Sequence, residues 1–541
     1  MGFSAIRLAS AALFSVLASP LSFSIPVGNT PQNALGRVVF PTSCAAGVQS
    51  VLTTGVALLH SFQYLEAKKT FADAAQRDQR CAMAFWGQAM SLYHQLWDFP
   101  QSESLEEGLG YLQMANRAGA LTERERGYLA AAAAFYQDNA KLSHLDRTRA
   151  YSAALATLHQ KFPDDIEAAA FYALSFVALA EEDERNTAEL RKQAINLLEP
   201  LLASHPDNPG IAHYLIHATD TPQFASQGLD AARRYAKIAP DSSHAIHMPS
   251  HIFVRLGLWR ESIDSNIRAR DSAEHAAEMH MAESHYQTHA MNFLNYSYLQ
   301  SGQEAKARQV IADLQNVVGA HDESKTEDTA DLLARTALEL HRWKEAAALP
   351  IPKMRLTSQE STYRARVIGK ARAGDAAGAR ADFEKLKEIW DAQNKTQQDE
   401  GYTVSAEEHA SPAEAWLLFA EGKHQEAVKQ LRATADHQDA KGVDSLSIPA
   451  REMLADMLMK LNRPAEALGE FKAALKNSPN RFDSLYGAAE AAQAAGDLAA
   501  AREFSAKLTQ VCGSAADRPE LAEVRSNVTA EPSRETLPHK L

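Results

Sequence analysis

The chain has 541 residues, a formal net charge of −13 at pH 7, 45% apolar residues and 23% charged residues. These proportions exclude a disordered chain, and the acidic balance counts against nucleic acid as a partner, because phosphate binding needs a basic face. The length exceeds what one ordinary compact core supports, a ceiling that does not apply where each structural unit touches only its neighbours.

Residues 1–24, MGFSAIRLASAALFSVLASPLSFS, carry one Arg, then an apolar stretch, then small residues. This reads as a secretory signal peptide cleaved after Ala18 or Ser24, with Pro20 breaking the apolar run. No later apolar run is long enough to span a bilayer. The expectation is a soluble, exported mature chain, secreted or periplasmic. Residues 25–47 form a segment ahead of the first repeat. The chain has three cysteines. In an oxidising compartment Cys44 can pair with Cys81, leaving Cys512 over, the alternative being three free thiols.

From residue 48 onward the apolar positions follow a helical period, with Ala-rich seams and short turns and no alternating strand pattern. The spacing predicts an all-α helical solenoid of antiparallel helix pairs. Its clearest unit is NRPAEALGEFKAALKNSPN followed by RFDSLYGAAEAAQAAGDLAAAREFSAKL, where Ala467, Ala474, Ala488, Ala489 and Ala501 let helices approach and Phe471 and Tyr486 fill the gaps. Over most of its length the chain resembles the tetratricopeptide-repeat (TPR) family, whose period is 34 residues. Setting that family's turn glycine (Gly257, Gly302, Gly422) and closing proline (Pro206, Pro240, Pro479) in register places first helices near 48, 82, 166, 209, 243, 288, 360, 408, 448 and 482, with further units near 124–162 and 328. This divides the chain into arrays at 48–300 and 301–514 and a polar tail, 515–541, expected to be disordered. The blocks LLHSFQYLEAKKTFADAAQRDQRCAMAFWGQAM and HAIHMPSHIFVRLGLWRESI are similar to a group of exported bacterial TPR proteins. That resemblance implies fold and export and supplies no mechanism.

The histidines carry the functional signal. His213 and His247 are 34 residues apart, as are His217 and His251, and each pair is spaced i, i+4. In TPR proteins positions 2, 5, 9, 12 and 13 of the first helix line the concave groove. Over the units starting at 209, 243 and 288 those fifteen positions hold His213, His217, His244, His247, His251 and His289, together with Asp220, Arg255 and Asn292. With 20 His in 541 residues, chance supplies fewer than one. Neutral imidazole is a common ligand for zinc and copper, and rings on neighbouring repeats can converge on one ion, with Asp220 as a further donor. The competing reading is a polar, histidine-lined groove that holds no metal. Pro249, between His247 and His251, is expected to start a new helix and spoil the second i, i+4 pair. HYLIH and HMPSH have the histidine spacing of HExxH but lack its glutamate, so a metalloprotease reading would need Glu278 or Glu283 as base. His275, His280 and His285, in the same insertion, read as surface residues.

A second feature is the aromatic stretch CAMAFWGQAMSLYHQLWDFP. The register turns Trp86, Tyr93 and His94 toward the groove, with His60 equivalent to His94, and leaves Trp97 and Phe99 to pack under the following loop. Exposed aromatics beside histidine suit an apolar or cationic ligand or a peptide. No phosphate-binding glycine loop, nucleophile elbow or recognisable Cys/His arrangement occurs. The expectation is an exported, monomeric protein that binds a ligand, peptide or protein partner in a histidine-lined groove, with a zinc or copper site there. Its alternatives are a metal-free interaction scaffold and a metal-dependent hydrolase or oxidase using the same cluster.

Overall fold

The computed structural model describes residues 34–524, apart from 98, 184, 279–284, 400–406, 443–445 and 523. The expected signal peptide lies outside these residues, as do His280 and Glu283. Within the compact unit that begins at Gln32, the described residues form 25 α-helices and no strand. None of these helices is long and apolar enough to cross a membrane.

Consecutive helices pack as antiparallel pairs, and the apolar core follows the chain as a series of seams rather than one centre. First helices begin at Gln49, Ala82, Glu123, Ile166, Pro209 and Ser243, and further along at Glu360, Ala450 and Phe482. These starts agree with the sequence register to within a residue or two. Local chemistry sets the boundaries. Asn208 caps the helix Pro209–Thr219 by accepting from Ile211 N at 3.1 Å, with Pro209 in the first turn where its missing N–H costs nothing. Ser242 caps Ser243–His247 by accepting from Ala245 N at 3.2 Å.

Two long-range features tie distant repeats together. The first is a strap formed by residues 34–43, which crosses the starts of successive first helices in reverse chain order. Ser43 N donates to Glu125 Oε1 (2.6 Å), Val39 N to Glu167 Oε1 (3.0 Å) and Arg37 N to Asp207 O (2.8 Å), while Ala34 O accepts from Asp241 N (3.2 Å). The disulfide Cys44–Cys81 anchors its far end to the start of the second repeat, and Cys512 is buried. The second feature is closure of the C-terminal array onto the middle of the chain. Trp259 Nε1 donates to Asn480 O at 2.8 Å and Asn480 Nδ2 to Gly257 O at 3.1 Å. The buried Arg481 guanidinium donates to Tyr296 Oη (2.7 Å), Glu339 Oε2 (2.9 Å) and Glu452 Oε1 (2.8 Å).

Of the expected tail, residues up to 524 are described, and part of that stretch is packed. Leu521 and Val524 are buried beside Phe482, and Arg518 Nη2 donates to Asp483 Oδ1 at 3.1 Å. A polar composition hides these few anchoring residues.

The disulfide closes a loop with a sequence separation of 37 residues. Reducing it is expected to lower unfolding stability by about 4 kcal/mol, from the loop entropy returned to the unfolded chain. Chemical denaturation with and without reductant, compared with the Cys44→Ser/Cys81→Ser variant, checks this.

Candidate functional site

The six groove histidines form two adjacent sets of three. The helix Pro209–Thr219 presents His213 and His217 on one face, and the next unit contributes His244. His247 and His251 of that next unit are joined by His289, from the helix His285–Gln300 that follows. In each set the ring nitrogens lie within 4.8 Å of one another. The pattern is the same in both: an i, i+4 pair from one first helix and one histidine from the start of the next. The offsets from the first set to the second are 34, 34 and 45 residues, the last lengthened by the insertion before His285.

Pro249 does not break the second pair. Met248 keeps helical dihedrals (φ −52°, ψ −35°), so the backbone runs from His247 into Pro249–Arg255 without reorienting. His247 Nε2 and His251 Nε2 are 3.1 Å apart. The expectation that the proline would separate these rings is therefore corrected: a proline at the first position of a helix removes a hydrogen bond that the preceding turn can spare.

The partners of the other ring nitrogens fix where the protons are. His213 Nδ1 donates to the His60 carbonyl at 2.6 Å, and His251 Nδ1 donates to Asp220 Oδ2 at 2.8 Å. His247 Nδ1 donates to Asn266 Oδ1 at 2.7 Å, and Asn266 is oriented by its own Nδ2 donating to Ser262 O at 2.8 Å. With Nδ1 protonated, Nε2 is the atom through which His213 and His247, as neutral rings, can accept. His213 Nε2 stands 3.1 Å from both His217 Nε2 and His244 Nε2. In the second set His247 Nε2 and His251 Nε2 face each other at 3.1 Å, a gap that a shared proton or a cation bridges. Burial pushes the His213 imidazole down to about 3 and holds His217, His244 and His247 well below the usual histidine range, with the neighbouring imidazoles adding to the effect.

The two sets differ in cover. His213, His217 and His244 are all buried, whereas His251 is half-buried and His289 exposed. A phenyl ring packs against each set. Phe62 lies 4.4, 5.5 and 5.8 Å (ring centroids) from His213, His217 and His244, and Phe293 lies 4.7, 4.6 and 5.3 Å from His247, His251 and His289. Phe62 belongs to the turn after the first helix, more than 150 residues earlier in the chain. That turn is held against the cluster by His60 O, by Ser61 Oγ accepting from Tyr235 Oη (3.2 Å) and by Phe62 O accepting from Tyr286 Oη (2.8 Å).

Asp220 is adjacent to the second set. Its carboxylate accepts from His251 and from Arg255 Nε at 2.8 Å, and although burial raises its pKa, Arg255 and His251 outweigh that and hold it well below the carboxylate range. It orients His251 and lies outside both nitrogen sets. Asn292 is engaged by Arg335 through its Oδ1. The expectation of a groove-facing aromatic wall from Trp86 and Tyr93 is corrected. Trp86 is 1% exposed, enclosed by Phe40, Phe71, Tyr128 and Phe171, and Tyr93 is buried against Phe135 and Tyr151. Phe40 of the strap covers the face of Trp86 that the repeat register leaves open. His94 stacks on Tyr64 at 4.3 Å. His60 is buried, its Nε2 donating to Glu167 Oε2 at 2.9 Å and its Nδ1 accepting from Tyr214 Oη at 2.8 Å. Trp97 is the aromatic that reaches the groove: it is 43% exposed, with its ring 5.7 Å from His217 and 6.2 Å from His244.

Two other groups of potential ligands are already engaged. Cys44 and Cys81 beside Asp78 form the disulfide, and Glu339 and Glu452 beside Asp483 hold Arg481.

No family model matches the sequence, and no curated protein matches it. Among solved structures the chain is similar to a tetratricopeptide repeat protein from Parabacteroides merdae ATCC 43184, at 12% identity over 53% of this chain and 97% of that one, with a TM-score of 0.30. It is also similar to the human IFIT1 dimer with PPP-AAAA, at 13% identity over 87% and 91% with a TM-score of 0.34, and to that dimer with m7Gppp-AAAA, at 14% over 88% and 92% with a TM-score of 0.34. The architecture is a TPR-like solenoid. Within it, the ring orientations at the first histidine set depend on Glu167. Burial alone would raise the pKa of that carboxyl, but hydrogen bonds from His60, Val39 N and Asn208 bring it below the usual range. Glu167→Ala leaves two buried donors, His60 Nε2 and Asn208 Nδ2, and the Val39 N–H without an acceptor, and is expected to cost about 3–5 kcal/mol. Urea denaturation checks this, with Glu123→Ala, at an exposed position, as the near-neutral control.

Proposed function

We propose that the concave face binds transition-metal ions, one at each three-histidine set, and that it does so in an exported protein. The observation that carries the reading is the convergence of three ring nitrogens in each set, with His247 Nε2 and His251 Nε2 3.1 Å apart and both Nδ1 atoms engaged by acceptors. Nitrogens gathered at one point in this way suit a bridging cation, and metal-bound histidine usually donates its other ring N–H to a carboxylate or carbonyl. His213, His247 and His251 all show that second feature. Three nitrogens leave a coordination position for an added ligand at the second set, where His289 is exposed. The Cys44–Cys81 disulfide supports export, since such bonds persist in oxidising compartments.

Full-length chain prepared without an affinity tag or chelator, analysed for its elements, is expected to carry up to two transition-metal ions. The His217→Ala/His251→Ala variant is expected to lose them while keeping its helical circular dichroism. Metal retained at the wild-type level in that variant, or none in the wild type after loading with zinc or copper, overturns the reading. Asp220→Asn keeps the shape but weakens the acceptor for His251. It is expected to lower affinity at the second set by roughly 10- to 100-fold, as measured by competition with a chromogenic chelator.

A further inference from the structure

The two histidine sets share one donor pattern and differ in what surrounds them. We propose that the inner set, His213, His217 and His244, selects copper(I), while the outer set, His247, His251 and His289, does not discriminate in this way. This rests on the metal reading of the groove and adds the identity of the ion.

Charge is the first argument. Taking an ion from water into a poorly polarisable site costs an energy that scales with the square of its charge, so a dication is penalised about four times as much as a monocation of equal radius. A carboxylate ligand normally offsets that cost. The inner set consists of three neutral imidazoles with no carboxylate among them. The two nearby carboxylates are committed elsewhere, Glu167 to His60 and Asn208, and Asp220 to His251 and Arg255. On the backbone side, Arg191 Nη1 donates to the His217 carbonyl at 2.6 Å while its Nη2 pairs with Glu181 at 2.5 Å, so that carboxylate too is committed elsewhere. The site therefore tolerates one positive charge better than two.

Coordination number is the second argument. Zinc in a protein takes four ligands, whereas copper(I), with a filled d shell and low charge, is content with three in a plane. At the inner set a fourth donor is hard to supply. Phe62 covers one side at 4.4–5.8 Å from all three rings, Tyr235 stacks on His213 at 5.0 Å, and the Tyr286 ring lies 5.7 Å from His244, with its hydroxyl committed to Phe62 O. The remaining neighbour, Trp97, offers an apolar ring edge. The outer set has what the inner one lacks. His289 is exposed, so water can complete a tetrahedral shell, and the Asp220 carboxylate is one hydrogen bond away through His251. Since the open set adjoins the closed one, with His217 and His251 rings 6.2 Å apart, it also provides the way in.

The test uses the full chain, stripped of metal and loaded under anaerobic conditions with two equivalents of copper(I), then dialysed against excess zinc(II). One copper is expected to stay and one zinc to enter. The retained copper should be absent from His217→Ala and present in His251→Ala. If zinc displaces both coppers, or the retained copper is lost in His251→Ala rather than His217→Ala, the inference is overturned while the metal reading stands. If neither metal binds, both fall. Phe62→Asp gives an independent check, because Asp tolerates the left-handed backbone at that position and places a carboxylate against the inner set. It is expected to raise zinc affinity there at least tenfold relative to copper(I). The outer equivalent of zinc, unchanged, shows that the variant is folded. An unaltered preference for copper(I) in a folded Phe62→Asp protein also overturns the inference.

Discussion

A buried imidazole must place both of its ring nitrogens, and this groove has to do so for a whole cluster at once. Burial disfavours protonating His213, His217, His244 and His247, so each of these rings keeps one donor and one acceptor, and a donor that finds a partner leaves a lone pair directed elsewhere. The partners that fix the three defining tautomers come from three separate places. They are the carbonyl of His60 in the first repeat's turn, Asn266 in the second helix of the same repeat, and Asp220 at the end of the preceding first helix. The orientation of these rings therefore depends on how distant repeats are packed together. The strap at residues 34–43 and the contacts around Arg481 link such repeats.

Repetition explains why there are two sets. One first helix offers an i, i+4 pair, and the start of the next first helix brings a third ring beside it. Moving one unit along the chain reproduces the arrangement without any new design. The copies then diverge because their surroundings are not repeated. The inner set receives Phe62 from a turn that only the first repeat can supply. The outer set is completed by His289, which follows the insertion and remains exposed. Equal ligands in unequal environments are how one scaffold can hold sites of different affinity and charge preference.

The fold was legible in the sequence because a solenoid is written locally. Turn glycines, closing prolines and alanine seams act within about 40 residues, so most helix starts from Gln49 to Phe482 followed from them, while the units set near 288 and 328 begin earlier, at His285 and Asp322. The histidine pairing was legible for the same reason. What the repeat pattern could not show was any contact made across the superhelix. Trp86 occupies a groove position by register and is nonetheless enclosed, because Phe40, on a segment with no repeat signature, lies over it. Trp97, assigned to a loop, reaches the groove because its segment runs back toward the histidines. Pro249 was misleading in another way. A proline rule that is sound for an isolated helix ignores the possibility that Met248 stays helical and carries the face through.

The backbone itself marks the same place. Among the described residues, five that are not glycine have positive φ: Phe62, Asp138, His341, Asn462 and Asn480. Asp, His and Asn reach that region at modest cost through local hydrogen bonds, whereas a bulky aromatic residue there is an outlier that the surroundings must enforce. At Phe62 (φ 54°) they do so from several sides, since the carbonyls of His60 and Phe62 and the hydroxyl of Ser61 are all occupied by groups from the histidine region. Strain of this kind, of order 1–3 kcal/mol, persists only where something is gained from the geometry. Here the strained turn places a phenyl ring over three imidazoles and points a carbonyl at one of them. The same left-handed turn follows first helices at Gly257, Gly302, His341, Gly422 and Asn462, so the conformation belongs to the repeat turn, and what this position adds is the phenyl ring over the imidazoles.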